Sequence, residues 1–300
     1  SLGLVGSEMC IRDRCGVIGV FTPEGEASRL AFFGLFALQH RGQESAGIAA
    51  ANGENVVVHS DMGLVTQIFR EPDFYPLAGD MAIGHTRYST SGSSELCNAQ
   101  PLLVDGKHGQ LAVANNGNII NAVQLKEHLQ NEWNCNFTST TDTEVIAQML
   151  ANAIGTTWEE RVFQCMRQLE GAYSIVVQTK DSMIAARDPL GIRPLCLGKL
   201  NGGWIVASES CALDHLGAEY LREVEPGEVV IVDENGLRTA TWPGGNGRRS
   251  LCVFELIYFA RPDSVMDGQL VHSARQQLGA QLAREHPCLL YTSPSPRDRG

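Results

Sequence analysis

The sequence has 300 residues and a mass of 32.6 kDa, enough for one large domain or two ordinary ones. Hydrophobic residues make up 43% and charged residues 19%, a composition that excludes a disordered chain. The formal net charge of -11 repels phosphate backbones and argues against a nucleic-acid-binding protein. No run approaches the roughly 18 apolar residues of a membrane-spanning helix, so we expect no membrane partner.

The cysteines exclude several further classes. Nine cysteines are too sparse in this length for a disulfide scaffold, and none forms a CxxC pair. The HExxH and GxxxxGK[ST] motifs are absent, so a zinc protease and a P-loop NTPase lack their sequence basis. The sequence predicts a soluble protein of a reducing compartment, which we take to be the cytoplasm.

The two ends differ in character from the middle. Residues 1–14 lack the basic start and apolar stretch of a signal peptide, and residues 288–300 form a Ser/Pro/Arg tail. We interpret both as non-native sequence, with a pro-segment, a linker or a natural disordered terminus as alternatives. The expected native parts are a first domain over 15–250 and a second segment over 251–287.

Strands and helices are both predicted in the first half of the chain. Cys15–Phe21 is a β-branched run typical of a strand buried on both faces. An apolar stripe that includes Phe33 and Phe36 predicts a helix over Ser28–Gln39, with Gly42 as its C-terminal cap. The TDTE run at 141–144 is a capping-box pattern. Further strands are predicted at Ser45–Ala51, Asn55–His59, Asp80–Arg87 and Gln110–Asn115, and helices at Ala122–Gln130, Val145–Ile154 and Trp158–Leu169.

From Gly171 the hydrophobic period changes to that of short strands separated by Gly, Asp and Asn turns. Such strands are predicted at 172–179, 182–188, 193–198, 202–210, 228–233 and 237–242. Grouped helices and neighbouring strands predict an α+β fold, with antiparallel sheets packed between helix layers. A last helix over Gly268–His286 has an apolar stripe with little left to pack on, so we expect it to open a second domain.

Cys15 is the candidate nucleophile. A cysteine at a mature N-terminus can use its own α-amino group, with a pKa of about 7.7–8.0, as the general base. Nucleophile and base would then share one residue. A buried strand cysteine explains the position equally simply.

Two polar motifs are placed at predicted strand ends. Arg87 in HTRYST has the planar fork that holds a carboxylate, although an Arg–acid pair on a surface loop would use the same residue. Asn116 and Gly117 in NNGN carry the donors of an oxyanion hole, and Gly permits the close backbone approach that such a hole needs. An ordinary turn also accounts for NNGN.

Two further positions have weaker patterns. Asp142 is suited to accept from a substrate ammonium, or it supports the start of a helix. Arg41 and Gly42 in HRGQ match the basic residues that a helix C-terminus favours.

Taken in order, the motifs resemble one family. CGVIGV, LQHRGQESAGIA, GHTRYSTSG, NNGNI, TDTE and GAYSIVV are similar to the N-terminal-nucleophile (class II) glutamine amidotransferase domain. The runs RDPLGIRPL, VASESCALD, LREVEPGE, YFARPDS and VHSAR narrow the resemblance to the amidophosphoribosyltransferase family of de novo purine synthesis. The resemblance spans about 15–286, and it implies a four-layer αββα N-terminal-nucleophile hydrolase fold followed by the start of a phosphoribosyltransferase domain.

The resemblance also implies roles in glutamine hydrolysis. Cys15 would attack the side-chain amide of L-glutamine and form a glutamyl thioester, releasing ammonia. The other implied roles are binding of the α-carboxylate by Arg87 with Thr90 nearby, binding of the α-amino group by Asp142, an oxyanion hole from Asn116 and Gly117, and a pocket lined by Arg41 and Gly42.

The remaining implications concern the full-length enzyme. Its phosphoribosyltransferase domain, with the acidic pyrophosphate-binding loop and Mg²⁺, would transfer the ammonia to phosphoribosyl pyrophosphate, in a homo-oligomer. Some members hold a [4Fe–4S] cluster on four cysteines, of which Cys252 matches the first. We expect no cofactor in the chain itself. The alternatives are the glutaminase domain of another class II enzyme, such as glucosamine-6-phosphate synthase, and an inactive fragment that serves as a binding module.

Overall fold

A computed structural model describes residues 15–51, 53–88, 94–245 and 247–287. The two terminal segments interpreted as non-native, and Thr90, lie outside these residues.

The strands, in chain order, account for most of the regular structure. They are β1 (Gly16–Phe21), β2 (Ser45–Ala51), β3 (Val56–Met62), β4 (Met81–Arg87), β5 (Leu102–Gly106), β6 (Gly109–Ile119), β7 (Gly171–Thr179), β8 (Met183–Arg187), β9 (Cys196–Leu200), β10 (Gly203–Ala207), β11 (Glu219–Glu223), β12 (Glu228–Asp233), β13 (Gly236–Thr241), β14 (Val265–Met266) and β15 (Gln269–Leu270).

The described residues form fewer α-helices than strands. The helices are α1 (Ala27–Ala37), α2 (Val65–Ile68), α3 (Ala122–Trp133), α4 (Asp142–Asn152), α5 (Trp158–Met166), α6 (Ser210–Leu216) and α7 (Val271–Glu285), with a π-helical turn at Glu255–Phe259.

Two antiparallel sheets lie face to face. In the described part of the chain, one sheet has seven strands in the order β11-β9-β10-β1-β4-β2-β3, and the other has six in the order β13-β12-β8-β7-β6-β5. The period-2 alternation of β1 sorts its side chains: Val17 packs between the sheets, while Ile18 and Val20 pack under α1 and α6. Helices α3, α4 and α5 cover the outer face of the six-stranded sheet. The predicted α+β class and αββα layering are confirmed.

Helix α1 differs from its prediction in register and in its end. Phe33 and Phe36 are 49% and 48% exposed, whereas the small residues Ala31 and Gly34 are buried. A Cβ atom at Gly34 would overlap Ile18, so the small residues let the helix lie close to the sheet. The helix ends at Ala37, and Gly42 is an extended residue that caps the following 3₁₀ turn Gln39–Arg41 instead of α1.

The start of α4 also differs from its prediction. The helix begins at Asp142 and Thr141 makes no side-chain cap hydrogen bond, so the predicted capping box is wrong. The Glu144 carboxylate instead accepts from the backbone N–H groups of Thr138, at 2.8 Å, and Ser139, at 2.6 Å. The sequence pattern also missed β5, β11 and α6.

The last described helix is only partly covered, and its buried Val271 packs on the neighbouring 256–266 segment. Val271 and Ala274 of α7 are buried, whereas Leu278 and Leu282 are 49% and 53% exposed. The outer half of the predicted apolar stripe is therefore uncovered by the described residues. Every helix among those residues is too short or too polar to cross a membrane.

Candidate functional site

The site lies where β1 begins and β4 ends. Gly16 of β1 pairs with Thr86 of β4, so Cys15 and Arg87 are each one residue beyond this pair on adjacent strands. Cys15 is 8% exposed, and its thiol donates to the carbonyl oxygen of Tyr88 over 3.9 Å. The predicted nucleophile is thus almost buried at a strand end, with its sulfur directed at the segment that follows Arg87.

The second sheet brings Asn116 to the same end of the sandwich. His85 of β4 contacts the carbonyl oxygen of Asn115 on β6 through its Nε2 atom at 3.2 Å, which joins the two sheets. The Asn116 side chain is fully buried, and its Nδ2 atom has no hydrogen-bond partner among the residues that the structure describes. Its Oδ1 atom accepts from Nη2 of Arg193 at 3.2 Å. A buried amide donor is therefore available for a ligand at this position.

Gly117 is fixed by a close approach of two strands. It pairs with Tyr173 of β7, and a Cβ atom at position 117 would overlap the carbonyl oxygen of Ala172. Only glycine fits there. The NNGN motif lies inside β6, so the prediction that it follows a strand is wrong, and so is the alternative of an ordinary turn.

Arg87 is buried, and it pairs with an acid. Its Nη1 atom donates to the Glu44 carboxylate at 2.6 Å, and its side chain is 3% exposed. The Arg–acid alternative is thus present, but in a strand end and not on a surface loop. A Cβ atom at Gly42 would lie 2.5 Å from the carbonyl carbon of Arg87 and 2.6 Å from that of Thr86. Glycine at position 42 therefore lets this segment pack directly on the end of β4.

Asp142 connects the start of α4 to the end of β6. Its Oδ2 atom accepts from the backbone N–H of Ile119 at 2.8 Å, two residues beyond Gly117. The carboxylate is 8% exposed. Both readings of Asp142 stay open, because it supports the helix start and also lies close to the proposed oxyanion donors along the chain.

Arg41 lies behind Cys15 in a buried ion-pair network. Its Nε atom donates to the carbonyl oxygen of Cys15 at 3.0 Å, and its two Nη atoms donate to Glu255 at 2.9 and 3.0 Å. Nη1 also donates to Glu209. Burial opposes the charge, but the two carboxylates raise the pKa of Arg41 above its usual value. Arg41 thus positions the backbone of Cys15, the predicted nucleophile.

Neighbouring basic side chains keep the Glu209 carboxylate ionised in turn. Burial alone would raise the pKa of its carboxyl, but Arg41 and His40 hold that pKa well below its usual range. The hydroxyl of Ser264 donates to Glu209 at 2.7 Å, and the backbone N–H of Arg261 does so at 2.9 Å. The YFARPDS segment is thereby attached to the sandwich.

Five residues of the site were not singled out by the sequence: Glu44, His85, Arg193, Glu209 and Glu255. His85 is fully buried, and burial lowers its pKa to about 3, so the imidazole is neutral at pH 7. Glu44, Glu209 and Glu255 pair with arginines, and Arg193 pairs with Glu255. Arg193 and Glu209 lie within runs that carried the family resemblance, RDPLGIRPL and VASESCALD, which is the one signal that marked their neighbourhoods.

Comparison with known proteins agrees with this geometry. The family described as "Glutamine amidotransferase domain" matches residues 85–215. An amidophosphoribosyltransferase of Synechococcus elongatus is 45% identical over 92% of this chain, and one of Archaeoglobus fulgidus is 46% identical over 91%. The chain is homologous to the amidophosphoribosyltransferases. It spans 57% and 60% of the lengths of these two relatives.

A solved structure of the same name has the same fold. The glutamine phosphoribosylpyrophosphate amidotransferase of B. subtilis, complexed with ADP and GMP, superposes with a TM-score of 0.84 at 44% identity. The match covers 90% of this chain and 58% of that one. The αββα sandwich of the present chain is thus the glutamine amidotransferase fold of the amidophosphoribosyltransferases.

The described residues do not form the metal site that some amidophosphoribosyltransferases carry. Cys252 is 5% exposed, but across 15–51, 53–88, 94–245 and 247–287 no three His, Cys, Asp or Glu side chains are placed to hold one metal ion. A [4Fe–4S] cluster needs four ligands. The residues described here do not fit it.

Proposed function

We propose that this chain is the glutamine-hydrolysing part of an amidophosphoribosyltransferase and supplies ammonia from L-glutamine. One observation carries the proposal: Cys15, Arg87 and the Nδ2 donor of Asn116, which has no partner among the described residues, converge on one end of the sandwich. These groups are a nucleophile, a carboxylate binder and an oxyanion donor. The names of the relatives support the amidophosphoribosyltransferase assignment. A solved structure that is 44% identical, described as the allosteric regulatory enzyme of purine biosynthesis, supports a role in purine synthesis.

The first half-reaction forms a thioester. The Cys15 sulfur attacks the carbonyl carbon of the glutamine side chain, and the thiol proton passes to the α-amino group of the same residue. The carbonyl oxygen becomes an oxyanion that accepts from Nδ2 of Asn116 and the N–H of Gly117. The α-ammonium then gives its proton to the leaving nitrogen, so that the C–N bond breaks and ammonia departs.

The second half-reaction regenerates the thiol. Water attacks the thioester carbonyl carbon with the α-amino group of Cys15 as base, through a second oxyanion at the same donors. The C–S bond breaks, and glutamate leaves. The neutral His85 beneath the site adds no competing cationic proton donor at neutral pH.

The remaining residues bind and position glutamine. Arg87 holds its α-carboxylate, a role in which the family resemblance also includes Thr90, and Asp142 accepts from its α-ammonium group. Arg41 and Gly42 form the pocket behind Cys15, where Arg41 holds the Cys15 carbonyl. Together, a guanidinium that binds the α-carboxylate and a carboxylate that binds the α-ammonium group select an α-amino acid over a simple amide.

The rest of the activity belongs to the full-length protein. There, ammonia would displace pyrophosphate from phosphoribosyl pyrophosphate and give 5-phosphoribosylamine. This step would take place at a phosphoribosyltransferase domain that would use Mg²⁺ and that begins in the 251–287 segment, after the glutaminase domain of 15–250. The same protein would be a cytoplasmic homo-oligomer. A cluster on Cys252 would need three more ligands from outside the described residues.

A glutaminase assay tests the proposal directly. The chain is prepared with Cys15 as its first residue, and ammonia and glutamate release are measured. We expect one glutamate for each ammonia, and single labelling at Cys15 by a diazo ketone analogue of glutamine. Cys15→Ser is the control and should lose most activity, because a hydroxyl is a far weaker nucleophile than a thiol near neutral pH. Turnover that survives Cys15→Ser would disprove Cys15 as the nucleophile, whereas a parent with neither turnover nor labelling would disprove the glutaminase function and favour the inactive-module alternative.

A further inference from the structure

The guanidinium of Arg193 fixes the orientation of the Asn116 side-chain amide. A guanidinium has only donors, so the atom of Asn116 that faces Nη2 of Arg193 at 3.2 Å must be the carbonyl oxygen. The Nδ2 donor therefore points away from Arg193. Arg193 decides which end of the Asn116 amide is presented to a ligand.

Arg193 is itself rigidly held. Its backbone N–H donates to Asp188 at 3.2 Å, and its backbone carbonyl accepts from Nε of Arg187 at 2.8 Å. Its Nη2 atom lies 3.3 Å from the Glu255 carboxylate, and both side chains are at most 1% exposed. The guanidinium thus has a fixed main chain and a buried counter-charge.

Glu255 connects this arginine to the nucleophile. The same carboxylate pairs with Arg41, which donates to the carbonyl oxygen of Cys15. A continuous path of polar contacts therefore runs from Cys15 through Arg41, Glu255 and Arg193 to Asn116. Glu255 begins the π-helical turn after the sandwich, so the path passes through the segment that leads to α7.

We propose that Arg193 is a positioning residue for the oxyanion donor of Asn116, and that Glu255 aligns this donor with Cys15 by holding Arg193 and Arg41 together. The proposal rests on the proposed glutaminase function of Cys15. The positively charged guanidinium beside the Asn116 amide oxygen also polarises the amide and makes Nδ2 a better donor to an oxyanion. The effect of Arg193 is thus expressed after glutamine has bound, as negative charge develops.

The first experiment separates kcat from KM. In the chain starting at Cys15, Arg193→Gln should lower kcat for glutamine by about 100-fold, the low end of the range for losing one oxyanion donor. KM should change by less than about threefold, because Arg193 does not touch the ground-state substrate. Arg193→Lys should recover part of kcat, since it keeps the positive charge but not the guanidinium shape.

A double-mutant cycle then tests whether Arg193 acts through Asn116. In an Asn116→Ala background, Arg193→Gln should cost less than about threefold in kcat, because the group that it orients is already gone. If Arg193→Gln lowers kcat by the same factor in the Asn116→Ala background as in the parent, the two residues act independently and the proposal is overturned. A change confined to KM would also overturn it.

Two controls exclude a merely structural loss. Glu228→Gln breaks another arginine–carboxylate pair, Arg222 with Glu228 at 2.7 Å, outside the path, and should leave kcat unchanged. Glu255→Gln should lower kcat as Arg193→Gln does. Alkylation of Cys15 by iodoacetamide needs no oxyanion hole and should proceed at parental rate in Arg193→Gln.

The outcomes distinguish this inference from the proposed function. A parent that the diazo ketone fails to label refutes the proposed function, whereas a labelled parent with unchanged kcat in Arg193→Gln refutes this inference alone.

Discussion

The two ends of the β-sandwich use charged residues in opposite ways. At the end where β1 begins, the side chains of Arg41, Glu209 and Glu255 are completely buried and paired with one another. At the end where β1 finishes, a cavity of about 610 Å³ is lined by charged residues such as Asp80 and Asp181, which are exposed. One end is filled and ionic, and the other is open and solvated.

This difference concerns the cost of burying charge at the end that holds the proposed site. Removing charges from water costs several kcal/mol per ion, so buried ions persist only where good geometry offsets that cost. Exposed acids around a cavity are screened by water and place few constraints on geometry. The proposed site thus lies at the end where paired charges are buried, and not at the end with the larger cavity.

The largest expected effect concerns the α-amine of Cys15. With residues 1–14 attached, this nitrogen is in a peptide bond and has no basic lone pair. The untrimmed chain should hydrolyse glutamine on the order of 10²–10⁴-fold more slowly than the chain starting at Cys15, the range for a positioned general base. Ammonia release measures the effect, with intact mass confirming each N-terminus. Equal turnover by both forms would refute the N-terminal-nucleophile mechanism.

The second effect is the acid sensitivity that His85 gives to the filled end. The imidazole titrates near pH 6.5 when unfolded but has a pKa of about 3 in the fold, so the unfolded state binds more protons between these values. Stability from neutral His85 is complete above about pH 6.5 and falls as pH decreases towards 3. The slope from this group is at most about 1.4 kcal/mol per pH unit.

The variant His85→Gln isolates that contribution. Glutamine can still donate to the carbonyl oxygen of Asn115 but does not titrate. The unfolding free energy, from urea titrations at several pH values, should fall less steeply below pH 6.5 in the variant and run parallel to the parent above pH 7. Identical slopes throughout the acid range would show that His85 is not buried in its neutral form.

The third effect tests the carboxylate-binding role of Arg87. Arg87→Lys keeps the charge but loses the planar fork, and we expect kcat/KM for glutamine to fall by about 1.5–3 kcal/mol, the range for hydrogen bonds to charged groups. Because Arg87 also pairs with Glu44, Glu44→Gln measures the loss of that pair alone and should cost less. Unchanged kcat and KM in Arg87→Lys would remove Arg87 from the site.

The smallest effect is expected at the open end. Glu234→Gln and Lys180→Gln change exposed charges beside the large cavity. Each should alter the unfolding free energy by less than about 0.5 kcal/mol and leave kcat/KM within about twofold. Thermal unfolding and the glutaminase assay measure both. A large kinetic loss at either position would break the contrast between the two ends.

The sequence predicted the parts of the site that lie within short motifs. Cys15, Arg87 and Asn116 each belong to a run of five or more characteristic residues, and β2 has the predicted bounds Ser45–Ala51. The network behind them could not be found in this way. Arg41 pairs with Glu209 and Glu255 across 168 and 214 residues of sequence, and such pairs leave no local pattern.

Two local predictions failed because tertiary packing decided the outcome. Asn and Gly favour turns, but nine residues of β7 pair with β6 through NNGN and extend the strand. In α1 the large residues suggested the buried face, whereas the close contact of Gly34 with Ile18 required small ones. Neither the partner strand nor the interlayer distance is encoded in the segment itself.

The unpartnered Nδ2 atom of Asn116 also has a consequence for how this chain tolerates mutation. A buried donor without a partner destabilises a fold by about 1–3 kcal/mol, so Asn116 works against folding in the absence of ligand. Gly117 is required by the packing of its strand. In a variant library screened only for solubility and thermal resistance, Gly117 should persist while Asn116 drifts; a screen for glutamine use should retain both. Two adjacent positions in one strand would thus report separately on the architecture and on the chemistry.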